Sequence, residues 1–468
     1  MLFSEPLFLF GFLPLVLFAY YAAPARARIG LLTAASYTFY GWWDWRFLAL
    51  IAFTTSVDFC CARAMAGRER PQRRPFLLIS LVANLSLLGF FKYFGLGVET
   101  AEQVARWFGG GLSRDLLDFE VVLPVGISFF VFQSLSYTVD VYRDAVPPTR
   151  SLLVYACYVS LFPQLVAGPI VRYRQLEQEL QAPALTDEKR YQGAQLFLLG
   201  LAKKVVLADS LALFAEAAFD APDLAAVSGP IALAGIVAYT FQIYFDFSGY
   251  SDMAAGIGHM LGFRFPKNFD SPYKSASITE FWQRWHISLS TWLRDYLFLS
   301  LGGNARGVAR ACANVFVTML LGGLWHGAGW NFLLWGGYHG ALLAIERALG
   351  ARNPLLRLPK FAQRAVCFLL VAFGLVFFRA ATLADGAAVL SALGNWHVVG
   401  HVPLLHGVFG LEHLVFGASV IVIFFCRNSW QVSTRPSGGK TAGLLLLLLV
   451  TLGFLLGSTN HPFLYFQF

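Results

Sequence analysis

Charged residues are scarce in this sequence. Asp, Glu, Lys and Arg together make up 13% of its 468 residues, whereas hydrophobic types make up 57%. An ordinary soluble domain has roughly 25% charged residues. Most of the surface of this chain must therefore face something other than water, and the composition excludes a soluble globular protein.

Several common catalytic motifs are also missing. The sequence has no GxSxG elbow, no Walker A loop, no HExxH helix and no GxGxxG in a βαβ context. Their absence excludes the hydrolase-fold, P-loop and zincin classes. The six cysteines lie in or beside apolar segments and include no CxxC pair. We interpret them as small core residues rather than as metal ligands or disulfide partners.

Long apolar runs are abundant instead, and several approach the roughly 20 residues that a helix needs to cross a bilayer. We predict spans at 6–22, 29–43, 47–61, 76–94, 121–142, 192–218, 229–250, 366–380, 408–425 and 441–457. The second and third are separated only by Asp44, Trp45 and Arg46, which predicts a tight hairpin. A further stretch, 311–346, is interrupted by glycines. The first run follows no basic region and precedes no Ala-x-Ala site, so we expect it to be retained as a span.

The net charge of +8 is concentrated in three stretches, 63–74, 264–310 and 347–364. Positively charged loops stay in the cytoplasm. We therefore predict that these stretches are cytoplasmic and that both termini are outside, together with 99–120 and 381–407. The positive charge is interpreted as cytoplasmic anchoring rather than as a nucleic-acid surface.

No internal repeat or low-complexity linker divides the chain, and we predict a single all-helical membrane domain spanning 1–468. Within it we expect N-terminal spans over 1–142 and a cytoplasmic or re-entrant helical layer over 143–191. A catalytic core over 192–346 and C-terminal spans over 347–468 complete the prediction.

His326 stands in the segment Gly-Gly-Leu-Trp-His-Gly-Ala-Gly, residues 322–329. Glycines let a helix break and let another backbone come close. Irregular backbone at membrane depth is tolerated only where it is buried in protein or lines a wet cavity. We therefore predict that His326 lies on a cavity, near the turn of a hairpin open to the cytoplasm, where it can act as a general base. The alternative is a structural histidine bonded to a neighbouring carbonyl group.

His286 lies in a second informative stretch, residues 281–301, where aromatic residues recur at helical spacing among arginines. This pattern predicts an interfacial amphipathic helix. On such a helix Ser290 would lie one turn beyond His286, and Arg294 a further turn along the same face. Arg294 and Lys274 could then meet a phosphorylated ligand from the cytoplasm. The alternative is an aromatic belt whose histidine is simply hydrated.

Three neighbours complete the candidate site. Trp285 and Trp325 directly precede the two histidines, and Asp295 follows Arg294. We take these three, with Ser290, as candidates for binding the donor or substrate, and we predict no metal site.

Other polar residues carry weaker signals. Asp246 and Asp252, near the end of an apolar span, could ligate a cation, but we favour helix-end capping and pairing with Arg264 or Lys267. The histidines between 397 and 413 are irregularly spaced, which is a weak indication of a metal site.

Ordered blocks along nearly the whole chain resemble the bacterial alginate O-acetyltransferase (AlgI-type) branch of the membrane-bound O-acyltransferase (MBOAT) family. They are found at 1–15, 123–143, 161–173, 244–273, 278–303, 324–340 and 461–468. The resemblance implies that His326, in LWHGAGW, is the catalytic histidine and that His286, in RWH, is the second functional position. It also implies about eleven transmembrane helices around a thin core, with a cytoplasmic funnel and re-entrant or interfacial helices.

The same resemblance implies an acyltransferase without a bound cofactor. It would move an acyl group, expected to be acetyl, from a cytoplasmic thioester such as acetyl-CoA across the bacterial inner membrane. The product would be an O-acetylated secreted or cell-surface polysaccharide, completed by a periplasmic esterase-like partner protein. His326 would act as a base or carry the acyl group itself.

Two alternatives remain open at this point. One is D-alanyl transfer from a carrier protein to a cell-surface polymer. The other is a transporter or flippase without chemistry, although transporters commonly show internal repeats with broken helices in both halves. Membrane lipids are the expected surroundings in every case, and no nucleic-acid partner is expected.

Overall fold

The fold is entirely helical wherever it is described. A computed structural model of the chain describes residues 1–111, 121–396, 410–432, 437–457 and 463–464. All regular secondary structure in these ranges is helical and none of it is strand, so the all-α prediction is confirmed. Contacts between residues group the chain into two units.

The first unit comprises residues 1–186 together with 261–265 and 327–329. Its elements are a π-helical segment (Leu7–Phe12), α1 (Leu13–Ala22), α2 (Ala25–Asp44), a 3₁₀ turn (Trp45–Phe47), α3 (Leu48–Met65), α4 (Arg70–Trp107), α5 (Ile127–Tyr142), α6 (Leu152–Ser160), α7 (Phe162–Leu165) and α8 (Tyr173–Gln181). The short helices α6, α7 and α8 occupy the segment predicted as a helical layer. Tyr155, Leu165 and Leu176, one on each helix, are fully buried, so all three helices contribute to the core of the unit.

The tight hairpin predicted between the second and third apolar runs has its helix break at the expected residues. Asp44 has extended backbone, with φ −159°, and its carboxylate accepts a hydrogen bond from the Arg46 amide at 2.9 Å. An aspartate that bonds the backbone two residues on favours a turn over a continuing helix. The helix therefore ends at Asp44 and restarts after Phe47.

The second unit comprises the remaining residues. Its first elements are α9 (Asp187–Ala202), a π-helical segment (Lys203–Ala208), α10 (Asp209–Phe219), a 3₁₀ turn (Leu224–Ala226), α11 (Gly229–Met260), a 3₁₀ turn (Pro272–Lys274), α12 (Ile278–Arg284), α13 (Ile287–Trp292) and a π-helical segment (Leu293–Phe298). It continues with α14 (Gly307–His326), α15 (Trp330–Leu349), 3₁₀ turns (Gly350–Arg352 and Pro354–Arg357), α16 (Lys360–Arg379), α17 (Leu383–Ala392), α18 (Leu411–Phe424), α19 (Ser429–Val432) and α20 (Gly438–Gly457). This unit contains both candidate histidines.

Within the described ranges, six helical segments are long and apolar enough to cross a membrane. They are Ala25–Met65, Arg70–Trp107, Gly229–Met260, Gly307–His326, Lys360–Arg379 and Gly438–Gly457. The chain is therefore a multi-pass membrane protein, while the number of crossings stays a prediction. Four predicted spans, at 6–22, 121–142, 192–218 and 408–425, are not among the six. The first and last correspond to the shorter apolar helices Leu7–Ala22 and Leu411–Phe424, the second to the 16-residue helix Ile127–Tyr142, and the third is interrupted by a π-helical segment that carries Lys203 and Lys204.

All six cysteines lie within the described residues, and none of them forms a disulfide. Cys61, Cys157 and Cys367 are buried, but Cys60 and Cys426 are exposed. The interpretation as core residues is therefore wrong for these two. Cys60 lies on α3, inside one of the candidate spans, where an exposed small apolar side chain can face lipid.

The length of α4 offers a test of the predicted sidedness. Gln72 and Gln103 lie on this one helix, 31 residues apart, which at 1.5 Å per residue is about 46 Å. A bilayer with its headgroup regions is about 40–45 Å thick, so the two positions should lie on opposite sides. We expect a membrane-impermeant thiol reagent, applied to intact cells, to label Gln103→Cys but not Gln72→Cys in a background without the six native cysteines.

Permeabilised cells provide the control, since both positions should then be labelled. Labelling of Gln72→Cys in intact cells would invert the predicted orientation. The corresponding predictions for 112–120, 397–407 and Phe468 fall on residues outside the described ranges.

Candidate active site

His326 is the last residue of α14, and α15 begins at Trp330. The two helices pack against each other as a hairpin, so the predicted hairpin with His326 beside its turn is confirmed. The break in the helix is narrower than expected, because Gly322 and Gly323 are themselves helical and only 327–329 interrupt the helix.

Gly323 and Gly336 explain how closely the hairpin packs. A Cβ atom built on Gly336 would lie 3.0 Å from the Cα of Gly323, and a Cβ on Gly323 would lie even closer to the carbonyl oxygen of Phe332. Any side chain at these positions would push the two helices apart. Their contact therefore fixes the end of α14, and with it His326, against the first turns of α15.

The His326 side chain is buried among aromatic rings. Its ring centroid lies 5.0 Å from Trp325, 5.1 Å from Trp335 and 5.3 Å from Phe378. It lines a cavity of about 10 Å³, close to the smallest volume that holds one water molecule. The other lining residues are Ile243, Phe281, Trp285, Trp335, His339, Val371, Leu375 and Phe378. The predicted cavity is thus present, and its walls are aromatic and aliphatic.

His286 lies at a break between two short helices, and the predicted continuous helix is wrong at this point. α12 ends at Arg284, α13 begins at Ile287, and His286 between them has left-handed backbone with φ +43°. The alternative of a hydrated histidine in an aromatic belt is excluded, because the His286 side chain is fully buried. Left-handed backbone costs a residue with a side chain about 1–2 kcal/mol, so surrounding contacts must hold this conformation.

Asn268 supplies those contacts. Its backbone carbonyl accepts a hydrogen bond from Ile287 N at 2.9 Å. Its side-chain Oδ1 accepts from Ser288 N at 3.1 Å and from Ser288 Oγ at 2.9 Å. The same Oδ1 lies 3.2 Å from His286 Nδ1. Asn268 therefore holds both the backbone break and the imidazole ring in place.

This network also determines the tautomer of His286. The Ser288 backbone N–H can only donate, so the Asn268 atom that it contacts is the carbonyl oxygen. His286 Nδ1 must then carry the proton, which leaves a lone pair on Nε2. His286 lies outside the candidate spanning helices, and burial lowers the pKa of its imidazole to about 3. The ring is therefore neutral near pH 7.

The two candidate histidines are close together. Their ring centroids lie 6.5 Å apart, about the distance that one hydroxyl or thiol group hydrogen-bonded to both rings would span. Trp325 lies beside both, at 6.1 Å from His286 and 5.0 Å from His326. Trp285 lines the cavity on which His326 lies. The structure therefore brings both histidines and both preceding tryptophans into one site.

Arg294 and Ser290 line a separate cleft of about 450 Å³ rather than the histidine cavity. Ser290 Oγ donates to the Trp285 carbonyl across the helix break at 3.1 Å. Arg294 Nε contacts Asp295 Oδ1 at 2.7 Å. Because the helix is broken at His286, the predicted common face of His286, Ser290 and Arg294 does not exist.

Arg347 is a second cation in this cleft, and sequence reasoning missed it. Its guanidinium donates to Asn304 Oδ1 and lies 5.7 Å from the ring centroid of Phe298. Trp282 also lines the cleft, while its ring contacts Trp335 at 5.7 Å and His339 at 5.4 Å. Trp282 therefore forms a wall between the cleft and the cavity of the histidines.

Lys274 does not join either group. Its Nζ donates to the carbonyl oxygen of Cys426 at 2.7 Å, and it lines neither the cleft nor the cavity. We therefore take Lys274 as a contact to the backbone after α18 rather than as part of the site.

His339 and Trp335 are further site residues that sequence reasoning missed. Both line the cavity of His326, and their ring centroids lie 5.1 Å apart. The one available signal was their spacing, because residues four apart on a helix share a face. That signal gains meaning only when α15 is known to pack beside His326.

The interpretation of Asp246 and Asp252 needs correction. They pair with lysines of the π-helical segment, not with Arg264 or Lys267: Lys204 Nζ lies 2.7 Å from Asp246 Oδ1, and Lys203 Nζ lies 2.7 Å from Asp252 Oδ2. Lys267 instead pairs with Asp270 at 2.6 Å. The carboxylates of Asp246 and Asp252 are therefore both engaged in buried ion pairs with lysines.

A metal centre finds no support in the part of the chain that the structure describes, which contains no cluster of three or more His, Cys, Asp or Glu side chains suited to a metal. His397, His401, His406 and His461 lie outside the described residues, so the weak metal signal of that region stays untested.

Residues 117–384 match the MBOAT, membrane-bound O-acyltransferase family. The chain is 43% identical to the probable alginate O-acetylase AlgI of Pseudomonas putida over the full length of both proteins, and 44% identical to that of Pseudomonas aeruginosa over 85% of this chain and 76% of the relative. It is 34% identical to the peptidoglycan O-acetyltransferase of Helicobacter pylori over 100% of this chain and 98% of the relative. The chain therefore belongs to the membrane-bound O-acyltransferase family and is a multi-pass membrane acyltransferase.

Proposed function

We propose that the protein takes an acetyl group from acetyl-CoA on the cytoplasmic side of the bacterial inner membrane. It passes this group across the membrane for O-acetylation of a secreted or cell-surface polysaccharide of the alginate kind. Two relatives at 43% and 34% identity, named as a probable alginate O-acetylase and a peptidoglycan O-acetyltransferase, support an acetyl group and a glycan acceptor. The observation that carries the proposal is the meeting of His286 and His326 beside a small aromatic cavity.

The cavity favours acetyl over D-alanyl as the transferred group. Its volume of about 10 Å³ has room for about one water molecule, so the chemistry of its lining, and not its size, distinguishes the two groups. A D-alanyl group carries an ammonium, which needs a carboxylate or several acceptors when it is buried. The residues that line this cavity include no carboxylate.

The cleft beside the cavity suits the phosphorylated part of the donor. Arg294 and Arg347 both line it, and guanidinium groups bind phosphate oxygens through paired N–H donors. Trp282 separates this cleft from the cavity. We place the phosphates of CoA in the cleft, with the thioester passing Trp282 towards His326.

His326 acts in this proposal as a general base. One of its ring nitrogens takes the proton of the acceptor hydroxyl while the hydroxyl oxygen attacks the thioester carbonyl carbon. A C–O bond forms, the C–S bond then breaks, and the thiolate of CoA leaves with the electron pair. The proton passes from His326 to the thiolate, so the products are an acetyl ester and free CoA thiol. His286, which burial keeps neutral and Asn268 holds as one tautomer, lies beside this reaction, with its ring centroid 6.5 Å from that of His326.

The proposal includes a periplasmic acceptor, which is either the polysaccharide or a hydroxyl group of an esterase-like partner protein. Because the hydroxyl nucleophile approaches from the periplasm and the thioester from the cytoplasm, the two groups must react within the membrane. We also place both termini in the periplasm, because the positively charged stretches of the chain are expected on the cytoplasmic side.

Thioester cleavage by the purified protein tests the proposed function. We expect the wild-type protein in detergent to release free thiol from acetyl-CoA when a soluble oligosaccharide acceptor is added, and to transfer labelled acetyl to that acceptor. Turnover of a D-alanyl thioester on a carrier protein, without turnover of acetyl-CoA, would establish the alternative transferase. Cleavage of neither thioester would favour transport without chemistry.

The two arginines of the cleft allow a more specific prediction. We expect Arg294→Ala and Arg347→Ala each to raise the KM for acetyl-CoA by about tenfold, since one charge-assisted contact to a phosphate contributes about 1.5–3 kcal/mol, with kcat less affected. Arg352→Ala is the matched control, because Arg352 lies in the same basic stretch but does not line the cleft. An unchanged KM in both cleft variants would remove these arginines from the donor site.

A further inference from the structure

We propose that Trp335 and His339 form an oxyanion hole, in which the indole N–H and an imidazole N–H donate hydrogen bonds to the carbonyl oxygen of the transferred acyl group. The inference rests on the acyl transfer proposed above and assigns the oxygen-binding residues of that reaction. It concerns the cavity that both side chains share with His326.

Both side chains are buried in an aromatic environment. Trp335 is 4% exposed and His339 is 1% exposed. The His339 ring stacks on Phe281, with centroids 6.3 Å apart and planes inclined by 13°, and it meets the edge of Trp282 at 5.4 Å. On its other side, a Cβ atom at Gly374 of α16 would lie 3.0 Å from His339 Nε2. The ring is therefore fixed in position and shielded from water.

Each of the two side chains has one polar atom without a hydrogen-bond partner within the described residues. Trp335 Nε1 and His339 Nδ1 are both buried and make no hydrogen bond there. Leaving a buried donor or acceptor without a partner costs about 1–3 kcal/mol. Two such atoms on side chains that line one cavity indicate a ligand that satisfies them when it is bound.

The chemistry of the two groups identifies the bound atom. The indole N–H of Trp335 can only donate, and a neutral imidazole offers one N–H donor. Two donors on one cavity match an oxygen with two lone pairs. In acyl transfer, this oxygen is the thioester carbonyl, which becomes negatively charged as the acceptor oxygen attacks.

The reaction then needs no proton from either residue. The attacking hydroxyl oxygen forms the new C–O bond, and the electron pair of the C=O bond moves to the carbonyl oxygen, where Trp335 and His339 stabilise it. When the C=O bond re-forms, the C–S bond breaks and the thiolate leaves. His326 alone handles the proton, while the oxyanion hole stays chemically unchanged.

Single substitutions on α15 test this assignment in the purified full-length protein. We expect Trp335→Phe and His339→Phe each to lower kcat by about 10²–10³-fold, the range found when one oxyanion donor is removed, with the KM for acetyl-CoA changed far less. His339→Gln, which keeps an N–H donor, should recover at least about tenfold of the loss seen in His339→Phe. Trp330→Phe is the matched control, because Trp330 is 53% exposed on the same helix and should keep wild-type kcat.

A spectroscopic measurement separates oxygen binding from a structural role. The infrared carbonyl stretch of a ¹³C-labelled, non-cleavable ketone analogue of acetyl-CoA should lie at lower frequency when bound to the wild type than when bound to Trp335→Phe or His339→Phe. Near-wild-type kcat and an unchanged carbonyl frequency in both variants would overturn the inference while leaving the proposed function intact. Absence of acetyl-CoA turnover by the wild type would overturn the proposed function, and this inference with it.

Discussion

Replacing His326 by alanine is expected to abolish acetyl transfer. The imidazole stands at the end of α14, buried among Trp325, Trp335 and Phe378 beside the small cavity. The one other imidazole among the lining residues belongs to His339, to which we assign a hydrogen bond to the carbonyl oxygen rather than proton transfer. Loss of a general base lowers the rate by about 10²–10⁴-fold. Release of free thiol from acetyl-CoA, measured with saturating acceptor, checks this expectation.

His259→Ala provides a matched control for this substitution. His259 lies on α11, where its Nδ1 contacts the carbonyl oxygen of Ala255 at 2.9 Å, and it lines neither the cavity nor the cleft. We expect it to keep wild-type activity. A folded His326→Ala protein that retained more than about a tenth of the wild-type rate, far above what loss of a general base allows, would remove His326 from the catalytic role. Rapid acid quenching of the wild type would distinguish a base from an acyl carrier, because only a carrier leaves labelled acetyl on the protein.

Removing the His286 imidazole is expected to have the second largest effect, about 10²-fold or more in kcat on the scale of a lost proton-transfer or polar catalytic group. The ring lies 6.5 Å from that of His326, and Asn268 holds it as the tautomer with an acceptor nitrogen at Nε2. Charged arginine and lysine side chains have only hydrogen-bond donors, so no neighbouring cation can take over this acceptor role. The measurement is kcat for acetyl transfer by His286→Ala and His286→Gly.

The comparison of the two variants separates the imidazole from the backbone. His286 has φ +43°, which glycine adopts without strain and alanine does not. We therefore expect His286→Gly to unfold at a higher temperature than His286→Ala while losing just as much activity. If His286→Gly kept most of the wild-type kcat, the role of His286 would be confined to the shape of the backbone.

Much of the fold could be predicted from the sequence, because its governing signals are local. The apolar runs predicted an all-helical membrane protein, and Asp44 marked a true break between α2 and α3. The glycines around His326 predicted a hairpin, which the structure contains. In each case the residue types act through their own backbone preferences or through the length of an apolar run, so they act in any tertiary context.

The break at His286 could not be predicted in this way. Nothing between Ile278 and Phe298 is a helix breaker by residue type, and the aromatic spacing favours one continuous helix. The break is stabilised by Asn268, which lies 18 residues earlier and bonds His286 and Ser288 with one oxygen. A tertiary contact of this kind overrides local helix preference.

The partners of buried charges were also hidden in the sequence. Asp246 and Asp252 were recognised as unusual, but their lysine partners lie 42 and 49 residues earlier in the chain, as Lys204 and Lys203. Trp335 and His339 were missed for the same reason, since their significance comes from the cavity that α15 shares with α16. The sequence reveals which residues have side chains that can pair, bind or catalyse, whereas the packing of the helices decides which of them meet.

The most direct test of the central claim is thioester cleavage in sealed membrane vesicles of known orientation. Acetyl-CoA does not cross the bilayer. When it is added outside the vesicles, thiol is therefore released only if the donor site of the protein faces outward. We expect inside-out vesicles carrying the wild-type protein to release free thiol in the presence of a lumenal glycan acceptor. Right-side-out vesicles, and inside-out vesicles carrying His326→Ala, should release none. Thiol release from right-side-out vesicles, or equal release with and without His326, would contradict a cytoplasmic donor site and a transfer reaction centred on this histidine.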